Sequence, residues 1–396
     1  MPIAASVPHD LLQPRPTRWQ AWPSRLEPDA LNEIGVDTPF LVTDCDEVER
    51  RFDAFTRAMQ GIQPYFALKC NAAVTVLKTL AGRGAGFEIA SVYELNPLET
   101  VGVRAKDVLF SNTVKPEKHI REAVARGVWR FAFDSEGELT KLAAAAPGSA
   151  VYVRLDVEDS HSLFPLSRKF GTSADEAVRL LRRAIELGLR PYGVTFHVGS
   201  QCTDPSMYSR AIDRCGLVMR RLEQFGIRIE MLNIGGGMPA TYADPVPDIG
   251  AVGDAVSRAV ARLPYRPSHL AAEPGRFLVA ESSVLAASVI GIARRDGERW
   301  AYLDVGGFNG LMEAIQTGGR WLFPMRTSRL DDDVAPTASF IVTGPSCDSS
   351  DTMFYGVDLP ETLEVGDRLY IGSTGAYTLS YASNFNGFPP PSQIFV

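Results

Sequence analysis

The sequence predicts an α/β protein that consists of a (β/α)8 TIM barrel and a C-terminal all-β domain. Two observations indicate this fold class. Between about residues 45 and 280, eight short β-branched or aromatic runs alternate with helical stretches. From about residue 282, short strands follow one another with turn residues between them and little helix. A doubly wound sheet is the alternative for the first part, but it would usually carry G-x-G-x-x-G after its first strand, where Lys69-Cys70-Asn71 stands.

The predicted barrel strands are runs of apolar residues that end in a polar or glycine residue. In order they are Tyr65–Lys69, Gly86–Ala90, Val108–Asn112, Arg130–Asp134, Val151–Asp156, Gly193–Val198, Met231–Gly235 and His269–Glu273. The clearest helix between them starts at a capping box, Ser173 to Glu176, and stops at Gly188. Other helices are predicted after Asn71, Lys115 and Pro205.

The same patterns predict the domain boundaries. Residues 1–25 are rich in proline and predict a loosely ordered N-terminal arm. Residues 45–280 form the barrel, and residues 26–44 together with 281–396 form the β-domain. The run TPFLVT at 38–43 is assigned to the β-domain although it precedes the barrel in the chain.

Composition excludes several classes of protein. The net charge of −7 argues against a general nucleic-acid binder. The five cysteines are widely spaced and lack a C-x-x-C pair, which favours free thiols in a reducing compartment. The histidines show no metal-binding spacing, so no metal site is predicted. The start of the chain lacks a signal-peptide pattern, and no apolar run reaches the ~18 residues of a membrane span. We therefore expect a cytoplasmic protein.

The predicted strand ends carry an unusual set of polar residues. In a (β/α)8 barrel the active site lies at the carboxyl ends of the strands. Most of these side chains would be awkward in a packed core, and the barrel mouth accommodates them. In order they are Lys69, Glu88, Ser111-Asn112, Asp134, Arg154, His197, Gly235-Gly236-Gly237 and Glu273-Pro274-Gly275-Arg276.

Two of these ends predict an amine and an anion site. Lys69 is a lone ammonium at a strand end, which suggests a reactive amine; the alternative is a surface lysine with its head in water. The three glycines at 235–237 let backbone N–H groups approach an anion closely, as a phosphate loop requires. The alternative for them is a flexible turn. Arg276 supplies a neighbouring fork donor for the same anion.

Two further residues at predicted strand ends, Glu273 and His197, add to the predicted amine and anion site. Glu273 at the eighth strand would need a cationic partner, and a protonated pyridine nitrogen would be one. His197 could stack on an aromatic cofactor, although a histidine there is more often structural. A reactive amine, a phosphate loop, a ring-facing carboxylate and a stacking imidazole together describe a site for pyridoxal 5'-phosphate (PLP).

The residues around these positions resemble a known family. The chain from about Thr38 onward is similar to the fold-type III PLP-dependent decarboxylases of basic amino acids, the ornithine/lysine decarboxylase group, which have the alanine racemase-like fold. The resemblance rests on seven motifs spread over both predicted domains. They are PYFALKCN around Lys69, GFEIAS at 86–91, HVGSQCTDP at 197–205, NIGGGMP at 233–239, EPGRF at 273–277, GPSCDSSD at 344–351 and GAYTLSYASNFNGF at 375–388.

The resemblance implies roles for individual residues. Lys69 would be the Schiff-base lysine, Glu273 would pair with the pyridine nitrogen and His197 would stack on the ring. The full cofactor-binding set would be Lys69, Glu88, Arg154, His197, Ser200, Gly235, Gly236, Gly237, Glu273, Gly275, Arg276 and Tyr377. Cys347 would protonate the carbanion carbon, and Asp348 would read the distal amine of the substrate. By resemblance, these last two residues and Phe385 line a pocket shared between the subunits of a head-to-tail homodimer.

Two departures from the family pattern bear on the substrate. Glu88 stands where the family usually has aspartate. The family also places a second amine-binding aspartate at the end of the stretch 306–317, where this chain offers Gln316 or Thr317. Loss of one carboxylate would remove a charge-assisted hydrogen bond of ~1.5–3 kcal/mol. The substrate is therefore expected to be a basic amino acid or a modified derivative, in a polyamine or a specialised-metabolite pathway.

Two other functions are compatible with this reading. An amino-acid racemase of the alanine racemase type shares the barrel, the lysine and the β-domain. That chemistry favours an arginine at the pyridine nitrogen, so Glu273 speaks against it. A non-catalytic decarboxylase-like regulator is the second alternative. Such proteins tend to lose the lysine or the phosphate ligands, and this chain keeps both.

Overall fold

The structure is a computed structural model that describes residues 12–13, 15, 22–329 and 334–396. The predicted N-terminal arm, residues 1–25, lies largely outside the described residues. The described chain divides into two compact units. One comprises residues 48–239 and 246–278, and the other comprises the described residues up to Glu47 together with 240–245 and 279–396.

The strands are short and are spread over the whole described chain. In chain order they are β1 (Phe40–Thr43), β2 (Gln63–Ala67), β3 (Gly86–Ile89), β4 (Leu109–Phe110), β5 (Arg130–Phe133), β6 (Ala150–Arg154), β7 (Ser162–Phe164), β8 (Arg190–Thr195), β9 (Ser200–Cys202), β10 (Met231–Asn233), β11 (His269–Ala272), β12 (Ser283–Arg295), β13 (Glu298–Leu303), β14 (Met325–Thr327), β15 (Thr337–Thr343), β16 (Thr352–Pro360), β17 (Arg368–Ile371) and β18 (Ser392–Phe395).

The helices concentrate between the strands of the first unit. In chain order they are α1 (Pro28–Asn32), α2 (Cys45–Ala58), α3 (Val74–Gly82), α4 (Leu95–Thr100), α5 (Glu117–Arg126), α6 (Glu136–Ala145), α7 (Ala174–Glu186), α8 (Ser206–Glu223), α9 (Ile249–Val260), α10 (Arg276–Val279) and α11 (Met312–Gln316). The predicted cap of α7 is present, since the Ser173 side chain accepts a hydrogen bond from the Glu176 N–H. None of the described helices combines the length and the hydrophobicity that crossing a membrane requires.

The first unit is a closed barrel of eight strands, all within its described residues. The strands run β2-β3-β4-β5-β6-β8-β10-β11, and β11 pairs with β2 to close the ring. Every neighbouring pair is parallel, as a chain of strand–helix repeats requires. Inside the ring, alternate residues of the strands pack into one cluster that includes Tyr65, Tyr152 and Tyr192. The predicted barrel is confirmed.

The second unit is built on a mostly antiparallel sheet. Its main path is β14-β17-β12-β13-β15-β16, and β1 pairs with both β12 and β18. The segment Phe40–Thr43 therefore lies in this sheet, although it precedes the barrel in sequence. Its side chains join a core cluster with residues such as Trp22 and Tyr370. The predicted fold class, a barrel with an all-β domain, is confirmed.

All eight predicted barrel strands are present, but each ends short of the residue that the sequence predicts. Lys69, for example, is not the last residue of a strand: β2 ends at Ala67, and Leu68–Cys70 form a single 3-10 turn. Glu273 likewise follows β11, which ends at Ala272. Lys69, Ser111 and Glu273 therefore follow their strands, whereas Glu88 and Arg154 are residues of β3 and β6 themselves.

Candidate active site

Lys69 and Glu88 form an ion pair at the carboxyl edge of two neighbouring strands. Nζ of Lys69 lies 2.8 Å from Oε2 of Glu88. The pairing of β2 with β3 aligns Ala67 with Glu88, which brings the turn after β2 over the end of β3. Glu88 is buried, with 1 % of its surface exposed, whereas the Lys69 side chain is 45 % exposed. A buried carboxylate is thus neutralised by an amine that opens to the mouth.

A second carboxylate, Glu94, lies close to this pair. Its Oε2 accepts the backbone N–H of Ala90 at 2.6 Å. Burial raises the pKa of Glu94, and the negative charge of Glu88 raises it further. Glu94 was not predicted as a site residue, because it lies in the 3-10 turn Val92–Glu94 and not at a predicted strand end.

Glu273 is held by two side chains from other strand ends. Its Oε1 accepts from Ser111 Oγ at 2.5 Å and from Asn233 Nδ2 at 2.6 Å. Burial raises the pKa of Glu273, and Glu88 adds to the rise, while Lys69 and the two donors oppose it. Ser111 also contacts the hydroxyl of Tyr152 at 2.8 Å. The part that Tyr152 and Asn233 take in this hydrogen-bond network was not predicted from the sequence.

The three glycines after β10 form a loop that excludes side chains. Gly235 and Gly237 have φ values of +63° and +101°, which L side chains rarely adopt. A Cβ on Gly235 would collide with the carbonyl oxygen of Phe196, and one on Gly237 with that of Gly199. On Gly236 a Cβ would lie 2.6 Å from the Glu273 carbonyl oxygen. The loop backbone can therefore approach a ligand more closely than any substituted chain could.

A buried cation stands near the start of α10. Arg276 is 3 % exposed, and its Nη2 and Nε lie 3.2 and 3.3 Å from Ser200 Oγ. Gly275 packs against the turn that holds Lys69, because a Cβ there would lie 3.1 Å from that of Cys70. A desolvated guanidinium, a hydroxyl and side-chain-free backbone are the donor set that a phosphate group needs.

His197 is held as a neutral ring. Its Nδ1 accepts the Gly199 N–H at 3.0 Å, so the ring proton sits on Nε2. Burial lowers the pKa of His197 well below its ordinary value, and the charges of Arg154 and Lys69 lower it further. Its Nε2 lies beside the glycine loop, 3.1 Å from where a Cβ on Gly236 would be. Burial also lowers the pKa of Arg154, which lies 4.9 Å from the centre of the Phe170 ring.

The remaining predicted residues belong to the second unit. Cys347 is exposed, and its Sγ lies 3.3 Å from Oδ1 of Asn386. Asp348 accepts from the N–H and the hydroxyl of Ser350, which lowers its pKa. The ring of Phe385 packs 4.6 Å from that of Phe308. Tyr377, predicted to bind the phosphate, has a φ of +62°.

Helix α11 shows how the two predicted specificity residues are placed. Gln316 is exposed, and the hydroxyl of Thr317 donates to the Ala314 carbonyl oxygen at 2.8 Å. Thr317 therefore caps its own helix. Glu313, on the same helix, is a buried carboxylate with 8 % of its surface exposed. Glu313 was not predicted as a site residue, because a single glutamate within a helix carries no local signal of burial. Among the described residues no cluster suited to a metal ion is present.

Together, the barrel and the groups at its strand ends define a PLP-binding enzyme. The donor set suits the cofactor: a loop that admits only glycine beside a buried arginine for the phosphate, a carboxylate for the ring nitrogen and an amine for the aldehyde. The family model described as pyridoxal-dependent decarboxylase, pyridoxal binding domain, matches residues 45–280. The chain belongs to this family of decarboxylases, and its cofactor is PLP.

Individual relatives agree with this assignment. The chain is 34% identical over 361 residues to a lysine/ornithine decarboxylase of Selenomonas ruminantium, covering 89% of this chain and 88% of the relative. It is also 34% identical over 369 residues to antizyme inhibitor 2 of Xenopus laevis, covering 88% and 79%. A crystal structure of a Vibrio vulnificus lysine/ornithine decarboxylase complexed with cadaverine aligns with a TM-score of 0.85 at 31% identity, covering 95% of this chain and 100% of that one. The predicted family, enzyme class and cofactor are confirmed.

Proposed function

We propose that this protein removes the α-carboxylate of a basic L-amino acid, or of a modified derivative, and releases the corresponding amine. The observation that carries the proposal is the Lys69–Glu88 ion pair, which opens to the barrel mouth, in the barrel whose strand ends also carry Glu273. Overall, carbon dioxide leaves and a proton takes its place on the α-carbon. When bound, PLP supplies an electron sink for the bond that breaks.

The residues of this chain would divide the work as follows. Lys69 would hold the cofactor covalently, and Glu88 would keep the amine in place when it is charged. Glu273 would face the ring nitrogen, and the neutral ring of His197 would lie on the cofactor face. The phosphate would be held by a group of hydrogen-bond donors. They are Ser200, Gly235, Gly236, Gly237, Gly275, Arg276 and Tyr377, with Arg154 nearby.

Covalent attachment tests the role of Lys69 directly. Borohydride reduction of the PLP-loaded protein should add the mass of the reduced cofactor to wild type. The variant Lys69→Ala should show no adduct, whereas Lys78→Ala, an exposed lysine on α3, should behave as wild type. An adduct on Lys69→Ala would mean that another amine holds the cofactor.

The same experiment tests the alternative that the protein is a non-catalytic regulator. That alternative draws support from the similarity to antizyme inhibitor 2. A wild-type protein that takes up no PLP would favour the regulator.

The racemase alternative differs in the group at the ring nitrogen. Racemisation needs a weaker electron sink, which an arginine would provide, whereas this barrel presents a carboxylate held by two donors. Decarboxylation is favoured because a carboxylate keeps the ring nitrogen protonated and deepens the electron sink. Carbon dioxide release and formation of the D-amino acid, measured on the same substrate, separate the two reactions. Racemisation without gas release would overturn the proposal.

The substrate proposal rests on charge at the distal end. The relatives include proteins named for lysine and ornithine, and two of the similar solved structures are complexes with cadaverine. Asp348 supplies one carboxylate for a distal amine, while Gln316 and Thr317 carry no charge. The loss of one charge-assisted hydrogen bond would lower the affinity for a free distal ammonium roughly ten- to hundredfold. This favours a derivative whose distal group does not need two carboxylates. A screen of basic amino acids and their acylated forms for PLP-dependent carbon dioxide release tests this. Strong turnover of free ornithine or lysine would refute the preference for a derivative.

We further propose a head-to-tail homodimer in which Cys347 and Asp348 complete the partner's site. Cys347 would return the proton to the α-carbon, and Asp348 would bind the distal amine. Mixing Lys69→Ala and Cys347→Ala chains after dissociation should restore about a quarter of wild-type activity, because half of the dimers then carry one intact site. No recovery in a mixture shown to exchange subunits would contradict shared sites. Asp348→Ala should chiefly raise KM.

A further inference from the structure

One oxygen of Glu273 is saturated by donors that come from two other strands. Ser111 follows β4 and Asn233 is the last residue of β10, and both donate to Oε1, at 2.5 and 2.6 Å. Among the described residues no hydrogen bond or ion pair reaches Oε2. The carboxylate is therefore clamped on one side and open on the other.

The directions of these hydrogen bonds follow from the chemistry of the groups. An ionised carboxylate can only accept hydrogen bonds, so the Ser111 hydroxyl donates its one proton to Glu273. The Tyr152 hydroxyl, 2.8 Å from Ser111 Oγ, must then donate to the serine. Tyr152 is fully buried, and burial together with the charge of Glu273 raises its pKa well above the ordinary value, so it keeps its proton. The result is a short hydroxyl chain that ends on Oε1.

Asn233 connects the same carboxylate to the glycine loop. Its Nδ2 donates to Glu273, while its Oδ1 accepts the Gly235 N–H at 2.9 Å. In return, the Glu273 N–H donates to the Gly235 carbonyl oxygen at 2.7 Å. Asn233 is fully buried, so both ends of its amide need these partners. Three hydrogen bonds therefore connect Glu273 and Asn233 with the glycine loop.

We infer that Asn233 and the Tyr152–Ser111 hydroxyl pair are positioning residues that keep Glu273 ionised and present its Oε2 to the ring nitrogen of the cofactor. This inference rests on the proposed role of Glu273. Burial and the nearby Glu88 both favour the protonated, neutral form of Glu273, and the hydrogen bonds from Ser111 and Asn233 oppose them. A neutral carboxyl would lose its charge-assisted contact with the ring nitrogen.

The test compares two forms of the cofactor. Full-length protein freed of cofactor is titrated with PLP and with its carbocyclic analogue, in which a C–H replaces the ring nitrogen. Wild type should prefer PLP. Ser111→Ala should lower the affinity for PLP roughly ten- to hundredfold and leave the affinity for the analogue nearly unchanged. Tyr152→Phe, which removes only the outer hydroxyl, should lower it roughly two- to tenfold.

The matched control is Tyr192→Phe. Tyr192 belongs to the same barrel cluster, but its hydroxyl contacts His269 and not the Glu273 network. It should keep the wild-type preference for PLP. If Ser111→Ala fails to fold, Tyr152→Phe still decides the question, since it preserves the packed ring.

The outcomes separate two failures. Equal losses of affinity for both cofactor forms would show that the clamp only supports the fold, and the inference would be wrong. Variants that keep the wild-type preference would also overturn it, without touching the role of Glu273. A wild-type protein with no preference between the two forms would instead contradict the assignment of Glu273 to the ring nitrogen.

Discussion

Glu88 and Glu273 are two carboxylates in one electrostatic system, and the charge of the first raises the pKa of the second. Lys69 moderates the repulsion because it forms an ion pair with Glu88 at 2.8 Å and also stabilises charge on Glu273. The amine that would carry the cofactor and the acid that would face its ring nitrogen therefore cannot be altered independently.

Glu88→Gln should lower the pKa of Glu273, because it removes a neighbouring negative charge. Glu273 would then stay ionised to lower pH. The acid limb of the pH profile, where the affinity for PLP falls on acidification, should therefore move to lower pH. Titrations of cofactor-free protein with PLP at several pH values over about pH 5 to 8 measure this limb. Glu117→Gln, an exposed carboxylate on α5 that pairs with Arg121, is the control and should leave it unchanged. An acid limb that stays put or rises in Glu88→Gln would contradict the coupling.

Gly235→Ala tests whether close approach, and not only backbone freedom, requires glycine in the loop. The φ of +63° should cost about 1–2 kcal/mol of folding free energy with any L side chain. Gly226→Ala is the matched control, since Gly226 has a φ of +70° but nothing within 4 Å of its Cβ position. Only Gly235→Ala should also lose PLP affinity, because its Cβ meets the Phe196 carbonyl oxygen. Urea unfolding and PLP titration of both variants measure the two effects. Equal behaviour of the two would count against the loop as an anion site.

Lys115→Met should destabilise the barrel by about 3–5 kcal/mol. The Lys115 side chain is wholly buried, and Nζ pairs with Glu138 at 2.9 Å and donates to the carbonyl oxygens of Asn112 and Ala132. Its removal leaves a buried carboxylate and two carbonyl oxygens, one of them buried, without this partner. Lys141→Met removes the more exposed partner of Glu138, and it should cost at most about 1 kcal/mol. Urea unfolding compares them, and similar losses would show that Lys115 is not the main counterion.

His269 should make stability fall in mild acid. Burial, aided by the charge of Arg130, lowers its pKa to about 4 from an ordinary value of 6.5. Between pH 6.5 and about pH 4, His269 is protonated in the unfolded chain but stays neutral in the folded protein. The free energy of unfolding therefore decreases as the pH falls through this range. Because the ring is only partly buried, we expect a loss of about 1 kcal/mol between neutral pH and pH 5.

The measurement compares urea unfolding of wild type and His269→Gln at the two pH values. The variant lacks the titrating ring, so it should lose about 1 kcal/mol less than wild type on acidification. His161→Gln, an exposed histidine, should follow wild type. If His269→Gln loses as much stability as wild type, another group is responsible for the acid sensitivity.

Much of the barrel could be predicted because its signals are local. A parallel barrel buries its strands on both faces, so each strand appears as a short apolar run. Some helices, such as α7, also carry a cap and a glycine stop in the sequence. The strand ends were placed too late in every case, as with Lys69, which lies in a turn after β2. Composition cannot separate the last residue of a strand from the first of the turn, because both sit at the mouth.

Local sequence patterns could not predict which residues contact the site residues. Glu273 meets Ser111 and Asn233 across 162 and 40 residues of chain, and Lys115 meets the Ala132 carbonyl oxygen across 17. Such contacts depend on the register of the parallel strands and on barrel closure. Glu94 and Glu313 went unnoticed because a lone glutamate in a helix or turn carries no local signal of burial.

By itself the sequence determined the order of strands and helices, the glycine loop and the residue types at the barrel mouth. These depend on periodicity and on backbone sterics, which act over a few residues. Only the tertiary structure decided that Lys69 pairs with Glu88 and that one oxygen of Glu273 is clamped while the other stays open. Closure of the ring brings residues from distant parts of the chain within hydrogen-bonding distance, and burial there sets their charges.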